Sequence, residues 1–271
     1  MERKKIIPKP VLILLITILA AALTVGAVVL ALHLYGVRYI KVPVKGEGDA
    51  VEYNKFFGIV DRDGDLYRGQ IIYADGLTAN VDSDTGTIKY SNGDIYEGGM
   101  KELERDGRGI LKYKNGDVYE GDFKMGKLTG EGTYTYNNGD VYKGSFLDGE
   151  KHGEGTYTWA NGSVYEGGFD HDKKNGHGKY TWADSSVYEG DYKLDLKEGH
   201  GKYVYANGDV YEGDFKSDIR SGMGTYTWYN GETYTGQFDK NLPNGEGTYT
   251  WPSGHSYTGH FLNGEIIRIE E

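Results

Sequence analysis

Carboxylates, histidines and tryptophans recur along this chain at spacings that invite metal binding, acid–base catalysis or aromatic recognition. Asp61-Arg62-Asp63-Gly64-Asp65 has the carboxylate density of a calcium loop. An EF-hand frame begun at Asp61, however, puts Leu66 where glycine must make the sharp turn and Ile72 where a bidentate glutamate must close the shell, so a hairpin turn is the better reading. His177 and His200 are 23 residues apart. If that interval spans two strands, the two rings lie ~10 Å apart, too far for one zinc ion with ~2.1 Å bonds. His152 and His171 lack ligand-like spacing, and the chain has no cysteine for disulfides, thiol catalysis or thiolate-bound zinc. No metal or cofactor is expected. Glu97, Glu120, Glu166, Glu189 and Glu212 return with the same interval; a catalytic pair is a singular feature, whereas periodic carboxylates read as a solvated strand face. Asn161-Gly162-Ser163 has the form of a glycosylation acceptor but coincides with a recurrent turn. An enzyme is therefore not expected.

The aromatic signal is of a different kind. Tyr136, Trp159, Trp182, Tyr205, Trp228 and Trp251 occupy one equivalent position in successive repeats, a row of large rings that forms the candidate binding face. The competing reading is intramolecular packing, because a sheet without a second layer needs such a row to hold it together. An uncovered stripe of this size would exceed the apolar patch of an ordinary monomer, which calls for a protein partner or a second copy to cover it.

The elements that must position this row are set by a period. Tyr-x-Gly followed two residues later by Phe, Tyr or Met returns every 23 residues, with tyrosines at 96, 119, 142, 165, 188, 211, 234 and 257 and no insertion between them. Such a period marks an array rather than a globular enzyme core. Each unit reads as two strands. Asn-Gly recurs at Asn92, Asn115, Asn138, Asn161, Asn207 and Asn230, a hairpin signal expected to give a type I′ turn with both central residues at positive φ. At the other connection Gly126, Gly149, Asp172, Asp195, Asp218, Asn241 and Gly264 predict one left-handed residue per repeat, with Leu103 breaking the rule in the first. Period-2 alternation places Tyr134, Tyr136, Tyr142, Gly144 and Phe146 on one face and Thr133, Thr135, Lys143 and Ser145 on the other. Glycine in a strand leaves room for a ring from a neighbouring strand to lie over bare backbone. The predicted fold is an all-β repeat array, an elongated single-layer antiparallel β meander of 23-residue hairpin repeats extending roughly 70 Å.

The pattern Tyr-x-Gly-x-Phe, Gly-x-Gly-x-Tyr-x-Trp/Tyr and Asn-Gly-x-x-Tyr closely resembles the MORN (membrane occupation and recognition nexus) repeat, over about 170 of the 271 residues. The resemblance implies a β-hairpin array serving as a binding or scaffolding module, and it specifies no reaction. It also implies phospholipid recognition as one alternative.

Charge and hydropathy complete the division. Residues 1–45 carry seven Lys/Arg against one acid, for +6, while the rest of the chain sums to −17. Such a repeat region repels nucleic-acid phosphates and anionic head groups, so no nucleic-acid partner is expected. The chain divides into a basic N-terminal flank (1–10), a transmembrane helix (11–34), a tether (35–56), degenerate opening repeats (57–95), the MORN-type array (96–264) and a C-terminal cap or tail (265–271). Val11 to Leu34 is 24 residues without a charge, enough to cross ~30 Å of hydrocarbon. A signal peptide cleaved at Ala20-Ala21-Ala22 is the competing reading, but it leaves Leu23 to Leu34 on the mature chain. Within the opening region, Asp63 to Gly69 supplies a turn and Tyr67-x-Gly69, and a longer loop is expected around Ala79 to Gly86. Four basic side chains before the helix and three after it favour an N-terminus inside a plasma membrane and repeats outside the cytoplasm. The expected function is a membrane-anchored, non-enzymatic scaffold or protein-interaction module, partnered by a protein or by itself as a homo-oligomer; the alternative is a cell-envelope glycan stacked on the aromatic row.

Overall fold

The computed structural model describes residues 9–45 and 51–267, with side chains over 17–44 and 51–267. Most of the basic flank and residues 268–271 of the tail lie outside the described residues. The chain divides into two units, Met1–Glu104 and Arg105–Glu271.

The first unit opens with helix α1, Lys9–Leu34. Its Thr17–Leu34 stretch is long and apolar enough to cross a membrane and is not buried by the protein. Residues 35–56, expected as a tether, instead supply β1 (Val37–Lys45) and the first half of β2 (Val51–Val60), paired antiparallel from Val37 opposite Ile59 to Lys45 opposite Val51. The alternation of Ile40, Val42 and Val44 with polar residues is a strand pattern that lacks the repeat signature. Pro43 is compatible with it because β1 pairs with β2 along one side only.

Strands β3 (Leu66–Ile72), β4 (Thr78–Asp82), β5 (Thr87–Tyr90) and β6 (Ile95–Lys101) follow, each antiparallel to its predecessor. Two expectations are corrected here. Tyr67 is not the buried ring of a Tyr-x-Gly unit: it is exposed and donates to Asp84 at 2.7 Å. The fully buried Phe56 takes that role over the paired Gly58 and Gly69, whose added Cβ atoms would meet its ring at 2.7 Å. The loop expected around Ala79–Gly86 is strand in its first half, because Ala79 and Val81 alternate inward as buried residues of β4, and the turn is confined to Ser83–Gly86. The acidic segment is a hairpin end, with the Asp61 carboxylate accepting from the amides of Asp63 at 3.0 Å and Asp65 at 2.9 Å.

The second unit is an antiparallel hairpin meander that runs from β7 (Glu104–Lys112) to β21 (Glu265–Ile266), each strand hydrogen-bonded to its sequence neighbours. The repeat is represented by β8 (Val118–Lys124), β9 (Lys127–Thr135) and β10 (Val141–Leu147). The two connections exchange the roles expected of them. At Asn138-Gly139 only Gly139 has positive φ, 92°, and its amide donates to Tyr136 carbonyl at 3.0 Å, so this is a type I turn closed by a left-handed glycine. The Asn138 side chain stabilises it by accepting from the Asp140 amide at 2.9 Å. The I′ pair lies at the other end, where Met125 and Gly126 have φ of 49° and 80°. There Leu103 obeys the rule after all, with φ 64°, held in place by burial.

The Gly-x-Gly signature has two jobs. In the hairpin of β10 with the following strand, Gly144 faces Gly155 and Phe146 faces Lys151, so one residue on the first strand opposes the three residues 152–154 on the second. Gly153, at φ 70°, makes this bulge. Gly155 lies under a ring: Tyr142 is fully buried across the Gly144–Gly155 pair, and an added Cβ at Gly155 would meet Tyr142 Cε2 at 2.5 Å. The covering ring thus comes from the glycine's partner strand at one site and from its own strand at the other. The Tyr142 hydroxyl donates to the Ser145 carbonyl at 3.0 Å, which satisfies its only buried donor.

Candidate functional site: an aromatic and cationic ladder

From Tyr119 to Tyr234 the fully buried tyrosine of each repeat is clasped edge-on by two rings, its own repeat's and the next one's, whereas Tyr96 has Met100 in place of the first. Tyr165 meets Phe169 at 5.2 Å and Tyr192 at 5.3 Å between centroids, both T-shaped, and Tyr211 meets Phe215 and Phe238 in the same way at 5.1 Å. The repeats are therefore interlocked by aromatic edges, so that none buries its tyrosine alone.

Beside this floor runs a second row. Tyr134, Tyr136, Tyr157, Trp159, Tyr180 and Trp182 follow one another with centroids 4.3–5.7 Å apart, and Tyr203, Tyr205, Tyr226, Trp228, Tyr249 and Trp251 continue at 4.2–6.0 Å. The structure brings all six expected residues, Tyr136, Trp159, Trp182, Tyr205, Trp228 and Trp251, into this row, and each is half-buried. Each has the tyrosine two positions before it as a ring neighbour, stacked at Tyr203–Tyr205 (26°), tilted by 36–56° at four others and edge-on at Tyr249–Trp251 (62°). Neighbouring rings thus lie against one another along the row, while each of the six keeps part of its surface exposed.

A cation from each of four successive bulges lies across the rings. Lys151, Lys174, Lys197 and Arg220 are 23 residues apart, two positions before the bulge glycine. The Lys174 ammonium is 5.1–5.7 Å from the centroids of Tyr165, Tyr180 and Tyr192, and the Arg220 guanidinium 5.0–5.9 Å from Tyr211, Tyr226 and Phe238. Lys151 and Lys197 also pair with Asp172 and Asp218 at 2.8 Å. At Lys151 burial opposes the charge, but the Asp172 carboxylate and Tyr136 hydroxyl overcome it and hold the ammonium above the usual lysine range. At Lys174 burial wins and holds the ammonium below that range.

Buried carboxylates fasten the far side of the row. Asp140 accepts from the Ala160 amide at 2.8 Å and the Tyr157 hydroxyl at 2.9 Å; Asp209 accepts from the Tyr229 amide at 2.9 Å and the Tyr226 hydroxyl at 2.6 Å. Ser163 and Ser186 stand at the same position and receive the Ala183 and Ala206 amides at 3.1 and 3.0 Å. These contacts tie each turn to the next.

The histidines lie elsewhere. His177 and His200 occupy bulges and meet Asp191 and Asp214 across the strand at 3.1 and 3.5 Å. His171 meets Glu150 at 2.6 Å, which raises its pKa above the ordinary imidazole value. Among the described residues no group of three or more His, Asp or Glu side chains is placed to hold a metal ion. The cation ladder and the buried aspartates are the features that sequence reasoning missed. Both carry the 23-residue period and were readable from it, but the net charge of the region hides them.

The geometry defines a tandem β-hairpin repeat protein. The chain belongs to the MORN repeat family, whose pattern matches seven consecutive repeats, 96–118, 119–141, 142–164, 165–187, 188–210, 211–233 and 234–256. No curated protein sequence matches it. Among solved structures, the chain is similar to the TCP domain of Drosophila melanogaster SAS-4 in complex with a proline-rich motif of Ana2, at 14% identity and a TM-score of 0.37, over 58% of this chain and 86% of that one. It is likewise similar to the TCP10 domain of Danio rerio CPAP in complex with a STIL peptide, at 14% identity and a TM-score of 0.37, over 74% and 97%. These scores are too low to carry a functional argument.

Proposed function

We propose that this chain is a non-enzymatic protein-interaction module, held at a membrane by α1, that binds an extended polypeptide along the row from Tyr134 to Trp251. The observation that carries this reading is the unbroken, half-exposed ladder of rings on one face of the array. A polypeptide can use the exposed part of each ring, which offers apolar contact area beside a polar tip. A glycan would need ring faces free for stacking, and neighbouring rings crowd the row, with Trp182 stacked on Tyr203 at 5.0 Å and Trp159 tilted against Tyr180 at 4.9 Å. Membrane residence comes from the apolar Thr17–Leu34 stretch, while the −17 charge of the region after residue 45 opposes anionic head groups. The excess of basic residues before the helix orients the N-terminus inside and the repeats outside the cytoplasm.

The test is site-specific photo-crosslinking of the full chain in its native membrane. A benzophenone amino acid at Tyr205 should give a discrete protein adduct, and one at Thr225, on the opposite face, should not. Adducts from Thr225 alone, or glycan adducts from Tyr205, would reject the reading.

A further inference from the structure

The cation ladder is periodic in position but not in charge balance. Lys151 and Lys197 each have an aspartate at 2.8 Å from the ammonium. Lys174 has the equivalent aspartate, Asp195, but it binds only the Lys174 backbone amide, at 2.9 Å, while the ammonium extends into its box of three tyrosines. At Arg220 the equivalent residue is Asn241, whose carbonyl takes one guanidinium N–H at 2.7 Å and brings no charge. Among the described residues neither Lys174 nor Arg220 has a carboxylate within ion-pair distance. Two positive charges thus stand half-buried against rings, and burial already disfavours the ionised form of Lys174.

We infer that Lys174 and Arg220 are two anion-receiving rungs of the aromatic face, each completed by a side-chain carboxylate of an extended acidic polypeptide. This rests on the protein-interaction reading above and adds the chemistry of the partner. A carboxylate arriving at Lys174 does what Asp172 does for Lys151: it supplies a charge-assisted hydrogen bond where water is partly excluded, a contact-range gain that salt screens far less than it screens the long-range repulsion from the region's net −17. The rungs are two repeats, or four strands, apart, roughly 19 Å at ~4.8 Å per strand. An extended chain running along the row covers that in about six residues, an even number that returns a side chain to the same face. The partner is therefore expected to carry acidic residues about six positions apart.

The probe is poly-L-glutamate, which is extended at neutral pH and offers a carboxylate at every spacing, titrated onto the full chain in phosphatidylcholine nanodiscs. The variants are Lys174→Gln, Arg220→Gln and their combination, with Lys173→Gln, an exposed neighbour, as control. Neutral side chains are compatible with the fold here, since Leu128 and Pro243 occupy this position in other repeats. Binding should weaken about tenfold or more in the double variant, stay within a factor of about two in the control, and survive Lys174→Arg. Equal weakening by Lys173→Gln would overturn the inference in favour of diffuse surface attraction. No binding of polyglutamate would overturn it outright, and binding of inositol trisphosphate in its place, lost in the double variant, would assign the rungs to a lipid head group. Tyr205 adducts that persist in the double variant, together with absent polyglutamate binding, would reject this inference and leave the interaction module standing; loss of the adduct from the unmodified chain would reject that module itself.

Discussion

Replacing Gly178 by alanine should unlock one repeat from the next. Gly178 faces Gly167 across the strand pair, and an added Cβ would lie 2.6 Å from Tyr165 Cε2 and 2.7 Å from its Cζ. Tyr165 has no free volume to retreat into: it is fully buried, clasped by Phe169 and Tyr192, and its hydroxyl donates to the Gly168 carbonyl at 3.0 Å. Overpacking of a tight core costs about 1–3 kcal/mol, and breaking the hydroxyl contact adds about 1 kcal/mol, so a loss of about 3 kcal/mol is expected. The matched control is Gly162→Ala, where φ is 88° but nothing lies within 4 Å of the new methyl. That change carries left-handed strain alone, about 1 kcal/mol. Urea unfolding of the full chain, followed by far-UV circular dichroism, should lower the midpoint by roughly 1.5 M for Gly178→Ala at a slope of about 2 kcal/mol/M, and by a third of that for the control. In a Tyr165→Ala background the same glycine change should cost less than about 1 kcal/mol, because the ring it strikes is gone. Equal costs for Gly178→Ala and Gly162→Ala, or an unchanged cost without Tyr165, would refute the ring-over-glycine account.

Three further outcomes follow from the ionisable groups. Asp140 is held below the ordinary carboxylate range, first by the Ala160 amide, against opposing burial, and then by the Tyr157 hydroxyl and Asn138. A depressed folded pKa stabilises above about pH 4 and is lost as pH falls through the folded value, so Asp140→Ser, which copies Ser163 and Ser186, should flatten the acid limb of a stability–pH curve; an unaltered limb contradicts it. His171 should titrate above the free imidazole value by NMR, mainly through its hydrogen bond to Glu150, and Glu150→Gln should bring it down. Burial raises the phenol pKa of Tyr142, Tyr165, Tyr188 and Tyr211, so their 295 nm absorbance change in an alkaline titration should coincide with loss of the β signal rather than precede it.

The 23-residue period made the meander, its two faces and the six-ring row legible in the sequence, since every one of those follows from register. Backbone detail was less legible. Asn138-Gly139 carries the residues of a type I′ turn, yet the strands close there over a longer connection, and the I′ geometry falls on Met125-Gly126 and even on Glu102-Leu103, where composition gives little warning. Residues 35–56 concealed two strands because their alternation is short and lacks the aromatic-glycine signature. Phe56 takes the tyrosine's place in the opening region, whereas Tyr67 has the letters of the motif but covers no glycine pair. The cations at 151, 174, 197 and 220 share the period but not the residue type of the motif, and only the bulge at the following glycine turns them inward over the rings.

The central claim is that the aromatic row, rather than the polar face, is where this membrane-held array meets a protein. Photo-crosslinking from Tyr205 and from Thr225 in the native membrane tests it most directly: a discrete protein adduct from Tyr205, with none from Thr225, is predicted, and adducts that arise only from Thr225 would contradict it.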